Sequence, residues 1–301
     1  MDSRNSPPTI CPYPISSKLY TPLLARCESY VLIGCGNNHR WPEALVLLNP
    51  ITRIYRILPK LCIPDFDGYL KYGMCHCLDD EFNNDFKVVG FVTYFSPHEN
   101  DLREVNIYSL RTNSWRAVEC ERTTGQWMDT TVLVQNHLLV MIFYDDDARM
   151  TRIGCFDIKA ERWSNDVLLP DTISGEISSH SIVDGHYYYL GELDWKLRFS
   201  WYDKNKATYT VWVMKKYGDK SSWVKLMSLP VRGIDEVYHP IAYRKGSSHE
   251  LLYISKYIDK YFWYNLRDKQ FTQTGFDSDN HDTNLYFAFT CKGSLSTFPS
   301  F

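Results

Sequence analysis

The 301-residue chain contains no stretch of 18 consecutive apolar residues, so no segment reads as a membrane-spanning helix. It has no amphipathic stretch of three turns with a start and a stop signal, which argues against a helical domain. There is no Gly-x-Ser-x-Gly, no phosphate loop and no His-Glu-x-x-His, so the common signatures of hydrolases and nucleotide-binding enzymes are missing. No basic stripe interleaved with aromatics appears, and the formal charge is −3; nucleic acid is not expected as the main partner. The N-terminus carries Pro7, Pro8, Pro12 and Pro14 but no apolar run of signal-peptide length. Nine cysteines, an odd number at irregular spacing, read as free thiols in a reducing compartment, cytoplasmic or nuclear.

Aromatics are plentiful, at 15% with 22 tyrosines, and they favour strands because they fit a pleated, half-buried surface. The stretch Val105 to Glu119 reads as two short strands around a polar turn, with Trp115 opening the second. It recurs. A small polar residue stands six positions before an aromatic at Asn49 and Tyr55, Ser109 and Trp115, Asp157 and Trp163, and Asn265 and Phe271. A longer fifth copy, Trp212 to Leu229, pivots on Trp223. The aromatics lie 60, 48, 60 and 48 residues apart. Further on in each unit a second pair of apolar runs brackets Asn136, Gly185 or Gly246, and Asp184-Gly185 is a strong hairpin signal. Four strands per unit at a period near fifty predict an all-β propeller of five or six four-stranded blades. The expected layout is an irregular lead-in over 1–28, the propeller over 29–293 and a tail over 294–301. Either Tyr30–Gly34 or residues 285–290 would complete the first blade. Residues 277–282 read as an acidic loop.

Several phrases resemble a known family. Leu48-Asn49-Pro50-Ile51-Thr52-Arg53-Ile54-Tyr55-Arg56-Ile57-Leu58-Pro59 resembles the WNP-S/T-R-x-Y-x-x-LP stretch of plant F-box proteins. Asn84-Asp85-Phe86-Lys87-Val88-Val89 is similar to their N-D-Y-K-V-V. Val105 to Trp115 is similar to V-E-V-Y-S-L-x-T-x-S-W. Val211 to Gly218 with Ser222 to Leu226 resembles V-W-V-M-K-E-Y-G and S-W-x-K-L. The phrases occur in the family's order over roughly residues 30 to 275. The family is that of the plant F-box and associated interaction domain proteins, which include the S-locus F-box proteins of pollen. The resemblance implies a kelch-like propeller that binds a target protein, the substrate-binding half of an SCF ubiquitin ligase receptor, and not an enzyme. It implies binding of the Skp adaptor only if an F-box is present elsewhere. The first forty-five residues carry no Leu-Pro-x-Glu/Asp lead, and the family's G-S-C-N-G-L-V-C pair survives only as Gly34-Cys35-Gly36-Asn37-Asn38. The alternatives are a truncated receptor that binds target without recruiting the ligase, and a propeller enzyme or carbohydrate-binding module.

No catalytic residue, cofactor or metal is expected. Cys75-His76-Cys77 is the tightest cluster of soft ligands, but no second pair lies at a matching spacing, so buried strand thiols are the simpler reading. Glu104, Asp194 and Glu236 could supply carboxylates to an enzyme, though nothing in the sequence places them together. Trp195, Trp201, Trp212 and Trp263 read as packing between blades. The candidate partner-binding residues lie in two connections. Trp127 and Met128 sit amid polar residues in Glu119 to Thr130, the mixture of a small hot spot with a wet rim. Asp145, Asp146, Asp147 and Arg149 form an acidic loop suited to a basic partner.

Overall fold

Alternating apolar residues and turn chemistry produce strands almost throughout the computed structural model, which describes residues 9–10, 23–36, 42–63, 68–77, 85–94, 102–118, 126–134, 137–143, 152–170, 187–231, 238–255 and 260–277. The first sheet holds β1 (Thr9–Ile10), β2 (Leu23–Cys27), β3 (Tyr30–Cys35), β4 (Ala44–Leu48) and β5 (Ile54–Leu58), in the order β1-β5-β4-β3-β2. The second holds β6 (Gly68–Cys77), β7 (Asp85–Tyr94), β8 (Leu102–Ser109) and β9 (Ser114–Val118). The third holds β10 (Gln126–Val134), β11 (His137–Phe143), β12 (Arg152–Asp157) and β13 (Arg162–Val167). The fourth holds β14 (Tyr187–Leu193), β15 (Lys196–Asp203), β16 (Thr208–Met214) and β17 (Trp223–Pro230). The fifth holds β18 (Tyr238–Tyr243), β19 (Glu250–Ser255), β20 (Lys260–Asn265) and β21 (Phe271–Asp277). Sheets two to five follow chain order as up-and-down meanders, and the described helical structure is a 3-10 turn at Lys220–Ser222.

The fold is therefore an all-β propeller, with five blades of the five or six expected. Residues 23–27, inside the expected irregular lead-in, form the strand β2, because Leu23 to Cys27 pairs with β3 across a two-residue turn. Tyr30–Gly34 does not close a ring edge; β3 lies between β2 and β4 in the interior of the first sheet. Residues 285–290, and the acidic stretch beyond Asp277, lie outside the described residues.

The predicted aromatics open the fourth strand of each sheet: Tyr55 in β5, Trp115 in β9, Trp163 in β13, Trp223 in β17 and Phe271 in β21. The polar residue six positions earlier is a turn former. Asn49 Oδ1 accepts from the amides of Ile51 and Thr52 at 3.0 and 3.2 Å. Asp157 Oδ1 accepts from those of Lys159 and Ala160, both at 2.9 Å. Asn265 Oδ1 accepts from Arg267 at 2.9 Å, and Ser109 Oγ from Thr112 at 3.2 Å. Four residues after each comes a left-handed residue: Arg53 (φ 60°), Asn113 (52°), Glu161 (54°) and Lys269 (59°). In the fourth sheet the same turn falls one hairpin earlier. Asp203 Oδ1 accepts from Asn205 and Lys206, Ala207 has φ 48°, and Tyr209 follows six residues on. The side-chain carboxylate or amide substitutes for a backbone turn, which is why Asn and Asp dominate these positions.

The chain divides into two compact units, Met1–Leu139 with Cys155–Ser164 and Cys291–Phe301, and Val140–Gly154 with Asn165–Thr290. In the first unit β2, β6 and β10 lie against one another, and in the second β14 lies against β18, so that first strands neighbour first strands. The first core is built mainly from the first two sheets, with Leu32, Leu45 and Leu47 against Tyr72, Met74 and Phe86. The second joins Tyr209, Val211 and Met227 to Leu251, Tyr253 and Tyr264. The strand β8 departs from simple alternation. Val105, Asn106, Ile107 and Tyr108 are all buried, because a blade packed on both faces has no solvent side at its middle.

Two tryptophans tie one sheet to the exit of the sheet before it. In the first unit the Trp115 indole N–H donates to the Pro59 carbonyl, one residue past β5, at 2.8 Å. In the second the Trp223 indole N–H donates to the Leu168 carbonyl, one residue past β13, at 3.0 Å. The turn residue Glu161 adds a charged clasp in the first unit. Lys87 Nζ lies 2.8 Å from Glu161 Oε1, and Arg116 donates to Glu161 Oε2. Burial would raise the Glu161 carboxyl, but the hydrogen bonds from Arg116 and Lys87 outweigh it and hold the group below its usual range.

Trp115 is half-buried, so Trp115→Ala should cost about 3 kcal/mol, the low end for deleting a large aromatic. Trp115→Phe keeps most of the area and should cost about 1 kcal/mol for the orphaned Pro59 carbonyl. Urea denaturation checks both, and a Trp115→Phe variant as stable as the wild type would show that the hydrogen bond contributes nothing. The lowered Glu161 pKa stabilises the fold above the ordinary glutamate range near pH 4.5, and that contribution is lost as pH falls through the folded value. The stability gap between the wild type and Glu161→Gln should therefore be widest at neutral pH and close in acid. A gap that is constant with pH in denaturant titrations would refute the clasp.

Candidate interaction surface

Trp127 and Met128 belong to β10, the first strand of the third sheet, rather than to a polar connection. Gln126 to Asp129 simply extend the Thr131–Val134 run backwards, and their polar composition hid the strand. Asp145, Asp146, Asp147 and Arg149 lie outside the described residues, as do Glu236 and the Asp184-Gly185 pair.

The Cys75-His76-Cys77 segment lies in β6. Cys75 is fully buried, and the His76 amide lies 3.2 Å from Cys27 Sγ. Hydrogen bonds to Cys27 and Cys77, with burial, push the Cys75 thiol up, so it stays protonated and unreactive. His76 Nδ1 instead meets Glu28 at 3.1 Å. Among the described residues no group of His, Cys, Asp or Glu has the arrangement of a metal site. Glu104 accepts from the Tyr94 hydroxyl at 2.9 Å, and Asp194 pairs with Lys196 at 2.9 Å.

The core of the second unit contains a buried cation. Arg198 is 7% exposed, donates from Nη1 to Ser200 Oγ at 3.1 Å, and its Nε finds no hydrogen-bond partner among the described residues. Gly191, its cross-strand partner, is glycine because a Cβ there would collide with the guanidinium. Burial pushes the neighbouring Tyr209 and Tyr253 hydroxyls up, so both remain neutral donors.

The four candidate tryptophans do not share one fate. Trp201 is buried, Trp212 and Trp263 are half-buried under Lys225 and Arg244, and Trp195 is 54% exposed. Trp195 sits in the two-residue turn joining β14 to β15. Asp194 (φ 53°) and Trp195 (φ 61°) are both left-handed, as a tight hairpin of this hand requires. Glu192 Oε1 accepts from the Trp195 amide at 2.7 Å and Lys196 pairs with Asp194, so the turn is braced from both sides. The available sequence signal was Leu190 to Leu193 and Lys196 to Phe199, two strand-like runs separated by two residues; a side chain in such a turn must point outward.

Antiparallel pairing sets the neighbours of this tip. Arg198 pairs with Val213 and Met214 with Trp223, so the 215–222 connection lies beside the Asp194-Trp195 turn. In the fifth sheet the 244–249 and 266–270 turns also adjoin, with the Leu266 amide donating to the His249 carbonyl at 2.7 Å. Strand β14 lies against β18, which ends at Tyr243. Burial raises its hydroxyl pKa, and the nearby Asp194 and Lys196 charges act on it in opposite directions.

Comparison with known proteins fits this architecture. The F-box associated beta propeller domain family matches residues 19–296. The F-box protein CPR1 of Arabidopsis thaliana is 26% identical over 272 residues, which cover 79% of this chain and 60% of that protein. The F-box protein At4g22390 of the same plant is 27% identical over 302 residues, covering 90% of this chain and 69% of that protein. The chain thus spans about 60% of the length of the first of these relatives. Among solved structures a prolyl endopeptidase aligns with 85% of this chain and 35% of its own, at 11% identity and a TM-score of 0.47, too distant to transfer any chemistry. The matched span takes in every strand from β2 to β21, and the chain belongs to the F-box associated β-propeller domain family.

Proposed function

We propose that this chain is a protein-recognition propeller, the part of an F-box receptor that holds the target. Membership of the F-box associated family over residues 19–296 is the observation that carries the reading. The blades themselves are committed to packing: β7 and β15 are buried over almost their whole length. Recognition therefore falls to the turns, where side chains are exposed and free to vary without disturbing the core. The residues described here are assigned to target binding alone. Contact with a Skp adaptor is assigned to this protein only if an F-box is present elsewhere, and the place of action to the cytoplasm or nucleus, where the cysteines stay reduced.

The test compares the chain as it stands with the same chain carrying a grafted F-box, both expressed in plant cells and recovered after crosslinking. Both forms should enrich the same target proteins, and only the grafted form should bring down the adaptor and ubiquitinated target. If neither form enriches any protein over a propeller control, the recognition reading fails.

A further inference from the structure

The turn end of the fourth and fifth sheets differs from the rest of the chain in charge. The Asp194-Trp195, 215–222, 244–249 and 266–270 turns together contain seven lysines and arginines against three aspartates, a net charge of +4, while the whole chain stands at −3. The carboxylates at this end are held in local hydrogen bonds and ion pairs. Asp219 accepts from the amide and hydroxyl of Ser221, Asp268 from the Gln270 amide, and Asp194 pairs with Lys196. Glu192 caps the Trp195 amide, and Glu250 holds Arg244 at 3.2 Å. Lys215, Lys216, Lys245, Arg267 and Lys269 are exposed. The exposed cations therefore outnumber the carboxylates of these turns.

Trp195 stands at the edge of this basic field. A turn with two left-handed residues favours glycine or asparagine, and a bulky side chain at positive φ is an outlier. The chain carries there the side chain that contributes most at protein interfaces, 54% exposed, on a hairpin braced by Glu192 and Lys196. An exposed indole at the edge of a basic field suits a ligand with one apolar anchor and several carboxylates.

We propose that the turn end of the fourth and fifth sheets docks an acidic segment of the partner protein, with Trp195 as the apolar anchor and the exposed lysines and arginines of the four turns as its charge complement. This rests on the recognition reading and narrows it to one surface and one class of ligand. An acidic polypeptide fits better than a nucleic acid. A single exposed tryptophan offers no row of stacking platforms, and carboxylates interspersed among the lysines suit discrete charges rather than a uniform phosphate backbone.

The experiment pans a random library of 12-residue peptides on the full chain and measures the selected peptides by fluorescence polarisation. The selected peptides should be net acidic with an aromatic or aliphatic residue, and their affinity should fall steeply with added salt. Trp195→Gly, which suits the positive φ and so preserves the turn, should weaken binding at least tenfold with no loss of melting temperature. Joint reversal of Lys215, Lys216, Lys245 and Lys269 to Glu should abolish it, and remains decisive if the glycine variant misfolds. Ala207→Gly, at the opposite end of the fourth sheet, should change nothing. Selection of neutral or basic peptides, or no selection at all, overturns the proposal. So does unchanged affinity in the variants, or a 20-nucleotide single strand that binds more tightly than any selected peptide. A crosslinked partner that binds both variants as tightly as the wild type overturns this surface and leaves the recognition reading intact, whereas the absence of any protein partner sinks the reading itself.

Discussion

The indole N–H of the tryptophan that opens a fourth strand reaches a backbone carbonyl just past the fourth strand of the preceding sheet. Trp115 does this to Pro59 and Trp223 to Leu168, at 2.8 and 3.0 Å. A four-stranded meander cannot by itself decide what lies on its faces, and an outer strand is the part least held by its neighbours. In the second and fourth sheets a tryptophan held by this directional bond supplies both restraints. Trp115 lies 5.4 Å from Tyr108 and 6.5 Å from Tyr72, and Trp163 packs on Phe91 and Phe156. Area burial then does most of the stabilising, while the indole bond selects which sheets meet and at what offset.

The turns serve this packing as much as they connect strands. Asn49, Asp157, Asp203 and Asn265 each satisfy the backbone amides of a turn with a side-chain oxygen, and a left-handed residue follows four positions later. In the second sheet the duty is divided. Ser109 donates to Asp85 Oδ2 at 2.6 Å, and Asp85 Oδ1 accepts from the Arg111 amide at 3.0 Å. Asp85 is almost completely buried, so the family-like Asn-Asp-Phe-Lys phrase marks the cap of a turn that lies two strands away. A buried carboxylate is retained there because it has hydrogen-bond donors waiting.

The same economy of carboxylates shapes the exposed end of the second unit. The four turns there carry seven cations against three aspartates, so local charge and net charge part company. A chain that is mildly acidic as a whole presents a basic, tryptophan-bearing surface, and composition alone would have pointed to a basic partner.

What the sequence by itself determined was local. The six-residue spacing from Asn49 to Tyr55, or Ser109 to Trp115, encodes a capped turn and an aromatic-led strand. Its recurrence every 48 or 60 residues was enough to read four-stranded blades and, with Asn49-Pro50 and Val211 to Gly218, a family. Pairing decided the rest, because it joins residues far apart in the chain. Only the tertiary structure showed that Asp203 and Tyr209 carry the same turn one hairpin early, that Asn106 is buried alongside Val105, and that Leu23–Cys27 completes the first sheet. Trp127 looked like a loop residue because strand β10 begins with polar side chains, and Trp195 looked like core because most tryptophans are. The fate of each depended on where its strand ends relative to a partner strand, and that register is set by the whole sheet rather than by the residues on either side.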